Sequence, residues 1–308
     1  MQRLFIVGCG DIAQRAIPLL TGRFQVFALI RNTAQRARLR QLGVTPVIGD
    51  LDRPHSLVKL RGIADIVLHC APPPDSGDQD VRTANLLRAL SRASILPWRM
   101  VYLSTSGVYG DRGGARTDEC AQPAPATARA RRRLDAEARL LRWGRARGSA
   151  VCILRVPGIY ATERLPLARL KDATPALNDE DDVFTNHIHA DDLARAAVAA
   201  IERGKPGRIY NVCDDSQIKM GEWFDRLADA FGLARPPRAP RTIVEKRVSP
   251  VLNSFMSESR RLDNRRMKIE LGVRLKYPTV AEGIAQAQRT MQNAARSALP
   301  GRLAGKRA

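Results

Sequence analysis

Short apolar runs without apolar/polar alternation, longer amphipathic stretches between them, and a glycine turn directly behind the first run predict an α/β protein with a Rossmann-like, doubly wound parallel sheet. The runs are residues 4–7, 26–30, 46–48, 66–70, 100–103 and 151–154, with one more at 209–212. A strand that stays apolar on both faces is buried on both, as in a parallel sheet covered by helices. Residues 85–94 and 131–147 are long enough to be crossover helices. Pro18 falls inside the first helical stretch and is expected to kink that helix or end it early. Beyond residue 154 the alternation fades. Helices are expected at 190–202, 220–232 and 279–296, and a proline- and arginine-rich loop at 235–250.

The chain has 308 residues and a 44% hydrophobic content, enough to build a core and too apolar for disorder. No apolar stretch approaches the roughly 20 residues of a membrane span, and the N-terminus runs straight into the glycine turn without a signal-peptide pattern. Cys9, Cys70, Cys120, Cys152 and Cys213 are scattered and odd in number, which speaks for a reducing compartment and against a disulfide framework or a zinc site. A soluble cytoplasmic protein is expected. The net charge of +20 invites a nucleic-acid reading. The charge is mostly arginine spread along the whole chain, with no aromatic clusters for base stacking, so nucleic acid is not expected as a partner.

Gly8-Cys9-Gly10-Asp11-Ile12-Ala13 has the pattern G-x-G-x-x-A between an apolar strand and a helix. Gly8 allows the tight turn, Gly10 lets a pyrophosphate approach the backbone, and Ala13 is small where helix meets strand. The N–H groups that open the helix, from Asp11 and Ile12 onward, suit phosphate. The second strand ends in Arg31 and Asn32, with Arg36 a helical turn later and no acidic residue for a ribose 2′-hydroxyl. This inclines the cofactor toward NADP, with NAD as the alternative. Asp50 and Leu51 follow the third strand. Either Asp50 or Asp52 is placed to meet the adenine amino group, or to cap the loop. Ala71 and Pro72 after the fourth strand, Ser104 after the fifth and Pro157 after the sixth complete the candidate cofactor contacts.

Four further segments carry a resemblance: Leu103-Ser104-Thr105-Ser106-Gly107-Val108-Tyr109-Gly110, Arg155-Val156-Pro157-Gly158-Ile159-Tyr160, Asn186-His187-Ile188-His189-Ala190-Asp191-Asp192-Leu193-Ala194 and Gly207-Arg208-Ile209-Tyr210-Asn211-Val212. In this order, over roughly residues 1–230, they resemble the extended or atypical short-chain dehydrogenase/reductase superfamily, the NAD(P)-dependent epimerase and dehydratase relatives. The basic tail at 297–308 is expected to be disordered, and the resemblance implies a Rossmann core at 1–155 completed by 186–212 and a smaller C-terminal substrate lobe formed by 156–185 and 213–296. It also implies a small-molecule substrate and a homodimer formed through helices of the core.

In that family a Ser or Thr orients the substrate, and a Tyr-x-x-x-Lys pair moves the proton and holds the ribose. Thr105 matches the Ser/Thr position, with Ser106 beside it. The pair is missing. Arg129 stands at the tyrosine position and Arg133 at the lysine position, and no tyrosine in the chain has a lysine four residues on. Arginine stays protonated and is no general base. Arg133 can instead bond a ribose hydroxyl or an anionic substrate, and Tyr109 and Tyr160 are the phenols near enough in sequence to substitute. His187 and His189 beside Asp191 and Asp192 are explained by the same match as loop and helix cap, and no metal is expected. The acidic run 179–182 reads as a solvated loop.

An NAD(P)-dependent oxidoreductase or epimerase-like enzyme with altered acid/base residues is the leading reading, its substrate small and anionic or a nucleotide sugar. A catalytically atypical NADP-binding sensor or scaffold is the alternative.

Overall fold

The computed structural model describes residues 1–298. Seven parallel strands form the central sheet: β1 (Arg3–Val7), β2 (Gln25–Ile30), β3 (Val44–Ile48), β4 (Ile66–His69), β5 (Arg99–Thr105), β6 (Ala150–Val156) and β7 (Ile209–Asn211), in the order β7-β6-β5-β4-β1-β2-β3. Every predicted run is a strand of this sheet. Pro46 lies in β3, an edge strand bonded only to β2, where a missing N–H costs no inner ladder.

The strand order reverses between β1 and β4, which opens a crevice at their carboxyl ends. Helix α1 (Asp11–Leu20) leaves β1 toward one face of the sheet, and α2 (Arg36–Gln41) follows β2. Helices α3 (Val81–Leu90) and α4 (Ala128–Arg147) lead into β5 and β6, and α5 (Ala190–Arg203) precedes β7. The two faces of the sheet carry separate cores. One joins α1 and α5 through residues such as Ile17, Leu20, Leu193 and Ile201. The other packs Leu86, Leu90, Ala136 and Leu140 of α3 and α4 against Phe5, Val67 and Tyr102. This double covering is why the strands need no polar face.

Pro18 does not stop α1 at once. The helix runs on to Leu20 and is closed by the Thr21 amide donating to the Ile17 carbonyl at 3.0 Å. The proline sits on the exposed side, so its ring meets no core neighbour there and only one helical bond is forfeited.

A third apolar cluster gathers Tyr160, Trp223, Phe224, Leu227 and Ile284 around α6 (Met220–Phe231) and α7 (Val280–Ala298). Two-stranded ribbons connect the remainder: Gly158–Tyr160 with His187–His189, Phe184–Thr185 with Ile218–Lys219, and Ala176–Leu177 with Arg238–Ala239. The stretch expected as loop at 235–250 therefore contains a strand and a short helix, Arg241–Val244, whose first amide donates to the Asp181 carboxylate at 2.9 Å. Asp182 accepts from the Gly221 amide at 3.0 Å. The acidic run is thus partly structural, anchoring two helix starts, rather than simply solvated. Of the predicted basic tail, 297 and 298 end α7, and 299–308 lie outside the described residues.

Gly8 is required by the packing. Its φ is +89°, and a Cβ there would stand 2.5 Å from the Ala71 nitrogen. Gly8→Ala is expected to cost on the order of 2–4 kcal/mol, from backbone strain plus the clash with the Ala71 backbone just beyond β4. Thermal unfolding checks it, and an unchanged melting temperature would contradict the tight turn.

Candidate functional site

The first cavity, about 460 Å³, lies along the carboxyl ends of the strands at the switch point. Gly8, Gly10, Asp11, Ile12 and Ala13 line one end. Gly10 is the N-cap of α1 and brings no side-chain cap, so the first amides of the helix lack an intramolecular partner. A Cβ on Gly10 would meet nothing within 4 Å. The protein leaves this space open, in contrast to Gly8, and the opening faces the free amides. Such a cradle fits a pyrophosphate. Asp11 puts a carboxylate beside it, and that charge is answered by Arg15 at 2.8 Å and Arg164 at 3.0 Å.

Toward β2 the lining continues with Arg31, Asn32 and Gln35. Arg31 is exposed, and no salt bridge among the described residues engages it. The Asn32 side chain accepts from the Ala34 amide at 2.9 Å, so it serves as a local cap. Arg36 begins α2 and is absent from the lining, which removes it from the candidate contacts. Asp50 and Leu51 line the wall after β3, and the Asp50 carboxylate accepts from the Asp52 amide at 3.0 Å, the capping role. Asp52 turns to Arg82 at 2.7 Å. Ala71, Pro72 and Ser104 complete this cavity. Pro157 lines the neighbouring one instead, because it follows β6 beyond the bend into the ribbon. Arg82 and Arg164 are lining residues that sequence reasoning missed. Arg82 opens α3 and Arg164 ends the short turn Thr162–Arg164, neither within a motif, and only the fold brings them to the crevice.

The second cavity, about 640 Å³, shares Ile159 and Arg164 with the first. Thr105 and Ser106 reach it from the end of β5. The Thr105 hydroxyl accepts from the Gly107 amide at 3.2 Å, which leaves its proton free to point outward. Helix α4 is capped by Thr127 and aims its first turns at both cavities: Arg129 lines the second and Arg133 the first. Arg133 donates to the Leu103 carbonyl at 2.7 Å and to the Tyr102 hydroxyl at 3.0 Å, which fixes it beside Ser104. Ser104 itself donates to Glu137, and Glu137 pairs with Arg155 at 2.7 Å, with both charges buried.

Tyr109 is withdrawn as a catalytic candidate by its burial. It is fully enclosed, its hydroxyl donates to Asn211 at 2.7 Å, the Arg155 guanidinium lies over its ring, and it lines neither cavity. Burial pushes its phenol up to about 12. Tyr160 does line the second cavity, and burial raises its phenol far above the usual range. His187, only 6% exposed, lies against Trp223 with ring centroids 4.5 Å apart. Burial pulls its imidazolium down to about 3, so the ring is neutral at physiological pH, and its Nδ1 has no partner.

His189 and the two aspartates beside it are otherwise engaged. The His189 ring caps the Asp191 amide, Asp191 pairs with Arg15, and both Asp192 oxygens accept backbone amides, from Lys276 and Tyr277 at 2.8 Å. Among the described residues no group of metal-ligating side chains is assembled.

Asp214, whose amide donates to the His187 carbonyl, is buried, and one of its oxygens has no partner. Burial, helped by Asp215 and Asp192 and opposed by the Ser216 hydrogen bond, raises its carboxyl to about 8. An unfolded aspartate ionises near 4, so between about pH 4 and pH 8 the native state holds the extra proton and stability falls as pH rises. His69 and His187, both lowered to about 3, act oppositely only below about pH 6.5. Between pH 6.5 and 8 the wild-type melting temperature should therefore drop, and Asp214→Asn should flatten that slope. Identical slopes would rule the buried acid out.

An open doubly wound sheet with a phosphate-ready glycine turn at its switch point defines a dinucleotide-binding protein of the Rossmann class. The chain belongs to the NAD(P)H-binding family, whose sequence profile matches residues 8–204. It is 28% identical over 229 residues to the GDP-6-deoxy-D-mannose reductase of Pseudomonas aeruginosa, covering 65% of this chain and 75% of that one. It is also 28% identical over 181 residues to the protein YeeZ of Escherichia coli K12, covering 58% of this chain and 59% of that one. A functionally unknown conserved protein from Silicibacter pomeroyi superposes with a TM-score of 0.75 at 27% identity, over 95% of this chain and 100% of the other. The dTDP-glucose 4,6-dehydratase of Streptomyces venezuelae, solved with NAD bound, shares the fold with a TM-score of 0.75 at 23% identity, over 95% and 97% of the two chains. Among the described residues no helix is long and apolar enough to cross a membrane.

Proposed function

We propose that the protein is an NADP(H)-dependent reductase of a small anionic carbonyl compound, with nucleotide sugars as one candidate class. The observation that carries this reading is the seam between the cavities: a dinucleotide-shaped groove opens, at Ile159 and Arg164, into a second chamber lined by Thr105, Ser106 and arginines. Residues 1–155 with 186–212 hold the cofactor in this reading, while 156–185 and 213–296 supply the substrate lobe. The cofactor would lie with its pyrophosphate on Gly10, Asp11 and Ile12, its adenosine phosphate at Arg31 and its ribose near Ser104 and Arg133. Bound there, it supplies the hydride. The chain's own contribution is to place the carbonyl oxygen at the Thr105 and Ser106 hydroxyls, close to fixed positive charge on Arg129 and Arg133, which stabilises a developing oxyanion. Neither arginine gives up a proton, so the alcohol's proton comes from water. The scattered free cysteines support a cytoplasmic setting.

Arginines at positions 129 and 133 also favour a second reading, a dinucleotide-binding sensor without redox turnover. The two separate in one assay. Purified protein is incubated with NADPH and a panel of ketones, aldehydes and 4-keto nucleotide sugars, with cofactor oxidation followed by absorbance and binding by fluorescence. Turnover of any of them supports the reductase; tight NADPH binding without turnover across the panel supports the sensor.

A further inference from the structure

The second cavity is walled by rings. Tyr160, Phe184, Trp223, Phe224 and Phe255 all line it. Its polar side chains are few once those with structural duties are set aside. Asn186 donates to the Arg260 carbonyl at 2.9 Å and accepts from the Leu262 amide at 2.8 Å. Glu258 and Arg260 pair with each other at 2.8 Å. Thr105, Ser106, Thr185 and His187 remain to meet a ligand, beside three arginines, of which Arg164 pairs with Asp11 and Arg129 lies exposed over the Phe255 ring.

Against these walls stands one half-buried cation with no anion. Arg169, on the short helix Leu167–Lys171, lays its guanidinium over the Phe224 ring at 4.1 Å and spends Nη2 on the Pro175 carbonyl at 2.9 Å. Its Nη1 is buried and has no partner, and no carboxylate among the described residues pairs with it. Loss of water alone pushes its pKa down to about 10. A desolvated guanidinium without a counter-charge costs stability that a bound anion recovers. The second orphan is Nδ1 of His187, on a ring that is 6% exposed and tilted against Trp223.

A nucleoside diphosphate sugar presents two phosphates, a base edge and several hydroxyls. Each would need a polar partner on burial, since unpaired groups are expensive. The chamber offers flat apolar walls, the half-buried Arg169 guanidinium without an anion, the exposed Arg129, the Asp11-bound Arg164 and one unpaired imidazole nitrogen. This is the lining of a site for an aromatic acid, with a few placed polar groups fixing its orientation.

We propose that the substrate is an aryl keto acid: its ring packs among Trp223, Tyr160 and Phe224, its carboxylate is held by Arg169, and His187 Nδ1 takes a hydrogen bond from or to a polar ring substituent. The ketone lies at Thr105 and Ser106. In the reaction a hydride from the reduced nicotinamide dinucleotide forms the new C–H bond, the carbonyl π pair moves to oxygen, and water protonates that oxygen. The ketone becomes a secondary alcohol and the dinucleotide is oxidised.

This rests on the reductase reading but is tested apart from it by binding. Calorimetric titrations use the full chain, with and without NADP, against phenylpyruvate, 3-benzoylpropionate, their methyl esters and UDP-glucose. At least one acid is expected to bind about tenfold or more tighter than its own ester, and tighter than UDP-glucose. Arg169→Gln should erase the acid-over-ester preference while NADP affinity stays the same, and Arg169→Lys should restore part of it. Matching melting temperatures for the variants exclude misfolding. Equal affinity for acid and ester, tighter binding of UDP-glucose, or no acid binding would overturn the proposal. Loss of NADP binding by the wild type would instead sink the cofactor reading and leave the acid preference to be read on the free protein.

Discussion

Gly10→Val is expected to leave the protein folded and to weaken NADPH binding by at least about 100-fold, close to 3 kcal/mol. Both halves come from the same geometry. Gly10 has φ −84° and ψ −164°, an ordinary extended conformation that valine adopts readily. An added Cβ meets nothing within 4 Å, so no protein atom must move to admit it. The helix start loses a glycine cap, a cost of about 1 kcal/mol at most. The valine methyls would fill the space in front of the α1 amides, where the proposed pyrophosphate lies. Fluorescence titration with NADPH, beside thermal unfolding, separates the two effects. Unchanged affinity in a folded Gly10→Val protein would refute the placement of the phosphates. The companion change Gly8→Ala should behave in the opposite way, damaging the fold first, because its Cβ would collide with Ala71.

The core of the fold was legible because its signals are local. Unalternating apolar runs and a G-x-G-x-x-A turn each occupy a few consecutive residues, and buried parallel strands require that pattern. The small ribbons were not legible. Strands of two or three residues such as Ala176–Leu177 and Arg238–Ala239 carry no periodicity, and their pairing partners lie some 60 positions away. The site shows the same division. Gly8, Gly10 and Arg31 follow from the turn and the strand end, whereas Arg82, Arg164 and Arg169 reach the cavities from segments that carry no motif. Tyr109 misled for a related reason. A tyrosine next to the Thr105–Ser106 pair looks available in sequence, but the turn after β5 points its ring inward onto Arg155 and Asn211. In an arginine-rich chain, residue type alone also says little about which guanidinium is functional. Arg36 and Arg31 look equivalent until the lining of the cleft separates them.

Arg31→Glu is expected to change the ratio of NADP to NAD affinity by about 100-fold in favour of NAD. The tip of β2 carries no carboxylate for a ribose 2′-hydroxyl, and Arg31 lines the cleft there free of any salt bridge among the described residues. A guanidinium bonded to a phosphate contributes about 1.5–3 kcal/mol at such a site. Reversing its charge both removes that and adds repulsion, so NADP affinity should fall steeply. NAD has no 2′-phosphate and its hydroxyl can donate to the new glutamate, so its affinity should hold or rise. Because Arg31 is exposed, part of the NADP loss is screened, and the selectivity change should shrink as ionic strength rises. Titrations of both cofactors at low and high salt give the ratio directly. Equal losses for NADP and NAD would show that Arg31 does not touch the 2′-phosphate. Arg36→Glu supplies the control for general surface charge: it alters the net charge by the same amount from a position outside the lining, so a comparable selectivity change there would assign the effect to the long-range field rather than to contact.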